Sequence, residues 1–157
     1  MRRITVLVTV LALLAFSAAP ALAEHDQPRI QKAVLSGDNE VPAVDSEGQG
    51  RATVKISEDA IHFKLVVRGM DEITQAHIHL GPEGENGDVV AFLFGFVDGG
   101  VTKNGLLAKG TITEADLVGP LAGQPLSALV EAIRSGNAYV NVHTVDHPGG
   151  EIRGQLG

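Results

Sequence analysis

The sequence predicts an all-β domain, an antiparallel sandwich or barrel with one short helix. Three observations carry this. Short runs alternate apolar and polar residues with a period of two, as half-buried strands do. Clusters of Gly and Pro separate those runs, as tight turns require. One stretch alone has apolar residues at helical spacing.

The clearest strand pair is 51–56 and 61–67. Ala52, Val54 and Ile56 share one face of the first, with Arg51, Thr53 and Lys55 on the other. Ile61, Phe63, Leu65 and Val67 share a face of the second, with His62 and Lys64 opposite. Ser57-Glu58-Asp59-Ala60 supplies the turn between them. Further strands are expected at 30–36, 74–80, 89–96, 107–112, 138–144 and 150–156. The run VVAFLFGFV at 89–97 is apolar on both faces, which predicts a central strand or one covered by a loop or helix. Turns fall at Gly81-Pro82, Gly84, Gly87, Gly99-Gly100 and Pro148-Gly149-Gly150. The helix holds Leu126, Leu129, Val130 and Ile133, at i, i+3, i+4 and i+7. Pro125 before it and Gly136 after it are start and stop signals. Its apolar stripe is expected to close one end of the β structure.

The chain opens differently. Met1-Arg2-Arg3 precedes a largely apolar run from Ile4 to Phe16, and Ala21-Leu22-Ala23 precedes Glu24. These are the three parts of a secretory signal peptide, 1–23, cleaved after Ala23. The run is too short for a membrane span, which needs about 20 apolar residues. Arg2-Arg3 alone is a weak twin-arginine signal, so the general secretory route is preferred. A secreted or periplasmic protein follows, with a flexible lead-in at 24–29 and one domain over 30–157. No membrane insertion is expected after cleavage.

The formal charge is −7, and residues 1–23 contribute two positive charges and no negative ones, so the mature chain is more acidic still. That composition argues against nucleic acid and against anionic membranes as partners. There is no cysteine, hence no disulfide, thiolate nucleophile or cysteine metal site in an oxidising compartment. With one Tyr, five Phe and no Trp, no aromatic anchor announces a protein interface.

The chemistry concentrates in the histidines. Ala76-His77-Ile78-His79-Leu80 and Val142-His143-Thr144-Val145-Asp146-His147 hold four of the six. Residues two apart on a strand point the same way. His77 and His79 therefore share a face, opposite Ala76, Ile78 and Leu80. On 138–144 the apolar face is Ala138, Val140 and Val142, leaving Tyr139, Asn141 and His143 opposite. His77, His79 and His143 are thus expected on an outer, solvated face, where three imidazoles can converge. Neutral imidazole suits copper and zinc. His147, in the following turn, is a candidate fourth ligand or gate. His62 and His25 are weaker candidates. Asp146, Glu83, Glu85 and Asp88 are candidate acceptors that would fix a ring's tautomer. Polar residues alternate on any solvated sheet face, so the pattern is equally compatible with no metal at all. No catalytic residues are assigned. There is no G-x-S-x-G elbow, and the Gly-rich 81–87 lacks the Lys of a phosphate loop and the Asp-x-Asp spacing of an EF-hand.

Three stretches carry a resemblance. They are Leu35-Ser36-Gly37-Asp38-Asn39-Glu40-Val41-Pro42, then Ile73-Thr74-Gln75-Ala76-His77-Ile78-His79-Leu80-Gly81 with Asn86-Gly87, and finally Ala138-Tyr139-Val140-Asn141-Val142-His143-Thr144 through His147-Pro148-Gly149-Gly150-Glu151-Ile152-Arg153-Gly154-Gln155-Leu156. In this order they resemble the CHRD domain, named for its occurrence in chordin. The resemblance implies an immunoglobulin-like or Greek-key β-sandwich and an extracellular protein, and it implies little about activity. A weaker similarity is to copper-zinc superoxide dismutase, in which His77 and His79 would correspond to the copper-binding pair. The chain lacks that family's disulfide, and no bridging-His loop or substrate-guiding Arg is identifiable. Three functions follow: an exported module holding copper or zinc, a metal-free structural or adhesion domain at the cell surface, and a dismutase-like redox enzyme.

Overall fold

A computed structural model describes residues 29–157. The expected signal peptide 1–23, His25 and the expected lead-in up to 28 lie outside the described residues. Arg29, expected in the lead-in, already belongs to the first strand. The elements are β1 Arg29–Ser36, β2 Gln49–Ile56, β3 Ile61–Leu80, β4 Val89–Phe94, β5 Val101–Ile112, α1 Leu126–Arg134, β6 Ala138–Thr144 and β7 Ile152–Gln155, with 3-10 turns at Gly37–Asn39, Glu114–Asp116 and Gly119–Leu121.

All pairings are antiparallel, and five strands form a closed ring. β1 pairs β2, β2 pairs β3, β3 pairs β6, β6 pairs β7, and β7 returns to β1. β4 and β5 are extra strands on β3. The all-β class with one short helix therefore holds, and the architecture is a closed barrel with extra strands. The two-sheet layering implied by the resemblance is not the arrangement these pairings give.

The cause is β3. The sequence reads as two strands, 61–67 and 74–80, separated by Arg68-Gly69-Met70-Asp71-Glu72. The chain instead continues as one strand of 20 residues. Its register against β5 shifts between Val67 and Met70 and again between Met70 and Ile73. Gly69 at φ 62° and Glu72 at φ 48° supply the left-handed backbone at these bulges. Met70 and Ile73 are buried there, so the kinked segment still fills core. One long bent strand thus lies between β2 and β5 in its first half and between β6 and β4 in its second.

Ala76, Ile78, Val140 and Val142, expected on one apolar face, are all fully buried in the same core as Leu35, Val54, Leu65 and Ile152. The hairpin turn at 57–60 also forms, with the Ser57 N–H and hydroxyl both donating to the Ala60 carbonyl. In α1, Leu126, Leu129 and Ile133 are buried and Val130 is half-buried. Of the two expectations for the 89–97 run, the central strand does not hold, and the strand covered by a loop holds in part. β4 pairs only with β3 and is an edge strand. It is apolar on both faces because Val90, Ala91 and Leu93 are buried while Phe92 packs edge-on against His77. The Val118 N–H donates to the Val90 carbonyl at 2.9 Å, so a coil segment covers part of that edge.

Candidate metal centre

β3 and β6 run side by side with His77 opposite Asn141, Gln75 opposite His143, and His79 opposite Tyr139. This register sets His143 diagonally across from His77. The expected parity is correct, but the expected solvation is not. His77, His79 and His143 are only 4%, 8% and 5% exposed. Every residue of β6 is buried, on both faces.

What covers the histidines comes from elsewhere in the sequence. Arg153 of β7, itself buried, donates to the carbonyls of Pro82 at 3.0 Å and Glu85 at 2.7 Å and to the Asn86 side chain at 3.2 Å. It thereby ties down the loop 81–88. The Asn86 amide in turn donates to the Val41 carbonyl at 2.7 Å. Buried Glu40 accepts two hydrogen bonds from the Asn141 amide, at 2.9 and 3.1 Å. Tyr139 stacks with His79 at 4.8 Å and carries the Arg153 guanidinium 3.4 Å from its ring centre. Phe92 meets His77 edge-on at 4.9 Å. Gly87 has no room for a side chain, because a Cβ would run into the Leu80 carbonyl.

The loop also fixes proton positions. His79 Nδ1 lies 2.9 Å from the Gly87 carbonyl, and His143 Nδ1 lies 3.0 Å from the Pro148 carbonyl. A carbonyl only accepts, so both Nδ1 atoms carry the proton and both Nε2 atoms carry a lone pair. These partners are backbone carbonyls, not the side chains of Asp146, Glu83, Glu85 or Asp88. His143 Nε2 is 3.1 Å from His77 Nδ1. Nε2 of His77 and Nε2 of His79 are buried with no hydrogen-bond partner. One nitrogen from each ring falls within a span of 4.8 Å.

Burial keeps the rings neutral. It pushes His77 down to about 4, helped by the neighbouring His143 and His79. It also lowers His79 and His143, against the hydrogen bonds they donate to the Gly87 and Pro148 carbonyls. Glu40 moves the other way, raised to about 7 by burial despite Arg153, Asn141 and Val41. These shifts set opposite pH trends in the metal-free protein. Below pH 6.5 the unfolded chain protonates a His77 that the fold keeps neutral, so stability falls as pH drops, by up to about 1.4 kcal/mol per unit. Between about 7 and 4.5 the folded chain protonates a Glu40 that the unfolded chain leaves charged, so stability rises as pH drops. Glu40→Gln removes the second trend alone. Urea unfolding between pH 4.5 and 6.5, with chelator present, should show a steeper loss toward acid in Glu40→Gln than in the parent chain. An unchanged slope would show that Glu40 is not held as described.

The three histidines read together from sequence are thus brought together, and the fourth is not. His147 is half-buried in the turn after β6, where its backbone bonds Thr144 and Gly150. Its side chain lines a separate hollow of about 180 Å³ with Asp71, Glu72, Asp146 and Glu151. His62 is exposed on the first half of β3, bonded to Thr111 at 3.0 Å. Sequence reasoning missed Glu40, Arg153, Tyr139, Asn141 and Phe92 as parts of the site. Tyr139 and Asn141 left a local trace, their alternation on the same face of 138–144 as His143.

Arg153 has a measurable weight. Arg153→Ala leaves three loop acceptors without their donor and is expected to destabilise the fold by about 2–4 kcal/mol in urea unfolding. Arg153→Lys should recover little of this, because one ammonium cannot reproduce the planar fork. Full recovery in the lysine variant would contradict the clamp.

Fold and site together define a class: a small closed antiparallel barrel with a buried, neutral cluster of three imidazoles on one flank. The family follows from the sequence match. The CHRD domain family model matches residues 31–156, nearly the whole chain, and the chain belongs to that family. No curated protein and no solved structure matches the chain.

Proposed function

We propose that this is an exported binding module that holds a copper or zinc ion through His77, His79 and His143. One observation carries the reading: two buried imidazole nitrogens, Nε2 of His77 and of His79, have no partner, in a cluster where one nitrogen from each of the three rings lies within 4.8 Å of the others. A buried polar atom left unpaired costs about 1–3 kcal/mol, and an ion would satisfy these atoms at once. The tautomers suit it, because the Gly87 and Pro148 carbonyls hold protons on Nδ1 of His79 and His143 and leave their lone pairs on Nε2, that of His143 facing His77 Nδ1. Three nitrogen donors without thiolate favour Cu(II) over Zn(II) by the usual affinity order.

The chain's own part is to present three neutral rings and exclude water from them. When bound, the metal would supply a Lewis-acidic centre. Nothing in the geometry identifies a substrate path, so a holding role is favoured over a dismutase-like enzyme. The short His77–His143 contact of 3.1 Å favours a second reading, a metal-free structural domain in which one histidine bonds another. Elemental analysis of the protein purified from its native compartment separates the two. Near-stoichiometric copper or zinc supports the module. Metal-free protein, or metal retained equally by a His77→Ala/His79→Ala chain, supports the structural domain. Export itself is tested by N-terminal sequencing of secreted or periplasmic protein, with Glu24 expected first.

A further inference from the structure

The exterior of β1, β2, the first half of β3 and β5 has a charge opposite to that of the whole molecule. The registers align Lys32 with Thr53, Lys64 and Lys109, and Val34 with Arg51, Val66 and Leu106. They also align Ile30 with Lys55, His62 and Thr111, and Ser36 with Gln49 and Arg68. Paired residues share a face, so these rows form one continuous surface. Lys32, Arg51, Lys55, Lys64, Arg68 and Lys109 are all exposed on it. They are half of the chain's 12 basic residues, in a sequence with 19 acidic ones. No acidic residue occupies any position in these rows.

Two further features show that the face is more than a solvated surface. Lys64 and Lys109 are directly opposed across the β3–β5 ladder, a like-charge pairing that weakens a sheet. A hollow of about 350 Å³ opens on the same face, with Arg51 and Arg68 beside Val34, Ser36, Gln49 and Val66. Guanidinium groups are planar forks that match a carboxylate bidentately.

We propose that this face binds an acidic polysaccharide, with one carboxylate in the Arg51–Arg68 hollow and further carboxylates against Lys32, Lys64 and Lys109. Cross-strand neighbours lie about 5 Å apart, so the lysine row offers closely spaced charges across the strands. Ser36, Gln49, Thr53 and Thr111 supply hydroxyl and amide partners for sugar hydroxyls. The face carries no Phe, Tyr or Trp on which nucleic-acid bases could stack. It is made of strands and lacks the amphipathic helix that inserts into a lipid surface. The acidic remainder of the molecule does not cancel the attraction, because charges beyond about 8 Å are screened at physiological salt. The proposal is independent of the metal reading.

The test is fluorescence anisotropy of labelled alginate oligosaccharides with the purified protein. Binding is expected at about 20 mM salt and should weaken at least tenfold by about 200 mM. Arg51→Ser/Arg68→Ser should weaken it at least tenfold, as should Lys32→Ser/Lys64→Ser/Lys109→Ser. Arg134→Ser, on exposed helix surface, should stay within twofold. Melting curves confirm that the variants remain folded, as their exposed positions predict. Failure to bind alginate at low salt would overturn the proposal, as would variants that bind like the parent. Tighter binding to a matched DNA oligonucleotide or to anionic vesicles would assign the face to those partners instead. Salt-reversible self-association that Arg51→Ser/Arg68→Ser abolishes, without alginate binding, would assign it to a second copy of the chain.

Discussion

Each of His77→Ala, His79→Ala and His143→Ala is expected to lower the affinity for Cu(II) by about 100-fold or more, measured by calorimetric titration of the metal-free protein. A chelate depends on every arm, and even the groups that merely orient a ligand are worth about 10–100-fold. The three nitrogens already lie within 4.8 Å of one another, so little ordering remains to be done when an ion enters. His147→Ala, in its separate hollow, should bind like the parent. So should His62→Ala, on the far half of β3. The pH profile carries a second signature. Free imidazole ligands fail below about 6.5, their ordinary pKa. In this site burial holds His77 down to about 4 and lowers the other two rings, so binding should persist below 6.5. If the three variants bind like the parent, or if binding fails at 6.5 as in an exposed peptide, the buried site does not hold the metal. The metal-free reading then takes its place.

Ile78→Asp and Val142→Asp are expected to prevent folding outright. Both side chains are fully buried on the inner faces of β3 and β6, one residue from the histidines. An unpaired carboxylate there costs several kcal/mol, comparable to the whole stability of a domain this size. Circular dichroism and proteolysis should show an unfolded chain for each. The contrast with Lys64→Ser, on the exposed face of the same long strand, tests the assignment of faces. A native melting temperature in both aspartate variants would reverse the inside and outside of the ring.

The parity of Ala76, His77, Ile78 and His79 was legible because alternation is a local signal. So were the ends of β6, which begin and stop as the pattern of 138–144 indicates. The burial of the histidine face was not legible. Its cover comes in part from the loop 81–88, whose Gly87 meets His79 and which Arg153 ties down from the far end of the chain. No local periodicity records such a meeting. The continuity of β3 was hidden for a different reason: the alternation of 61–67 breaks off at Gly69, and a bulge breaks the alternation while the strand runs on. The edge position of β4 escaped because an apolar run looks alike whether neighbouring strands or loops cover it. The acidic total likewise concealed a basic face, since composition averages over a surface that the strand registers divide.

The closure of the ring has a kinetic meaning. Its closing bridge joins Ser36 to Arg153, so its two sides are separated by nearly the whole described chain. Until that contact forms, β1 and β7 are both open edges, and the loop entropy of joining them is unrewarded by local structure. A chain wired this way belongs among the slow folders, with times of milliseconds to seconds. The barrel cannot be completed before its last strand, from Ile152 to Gln155, is available to pair.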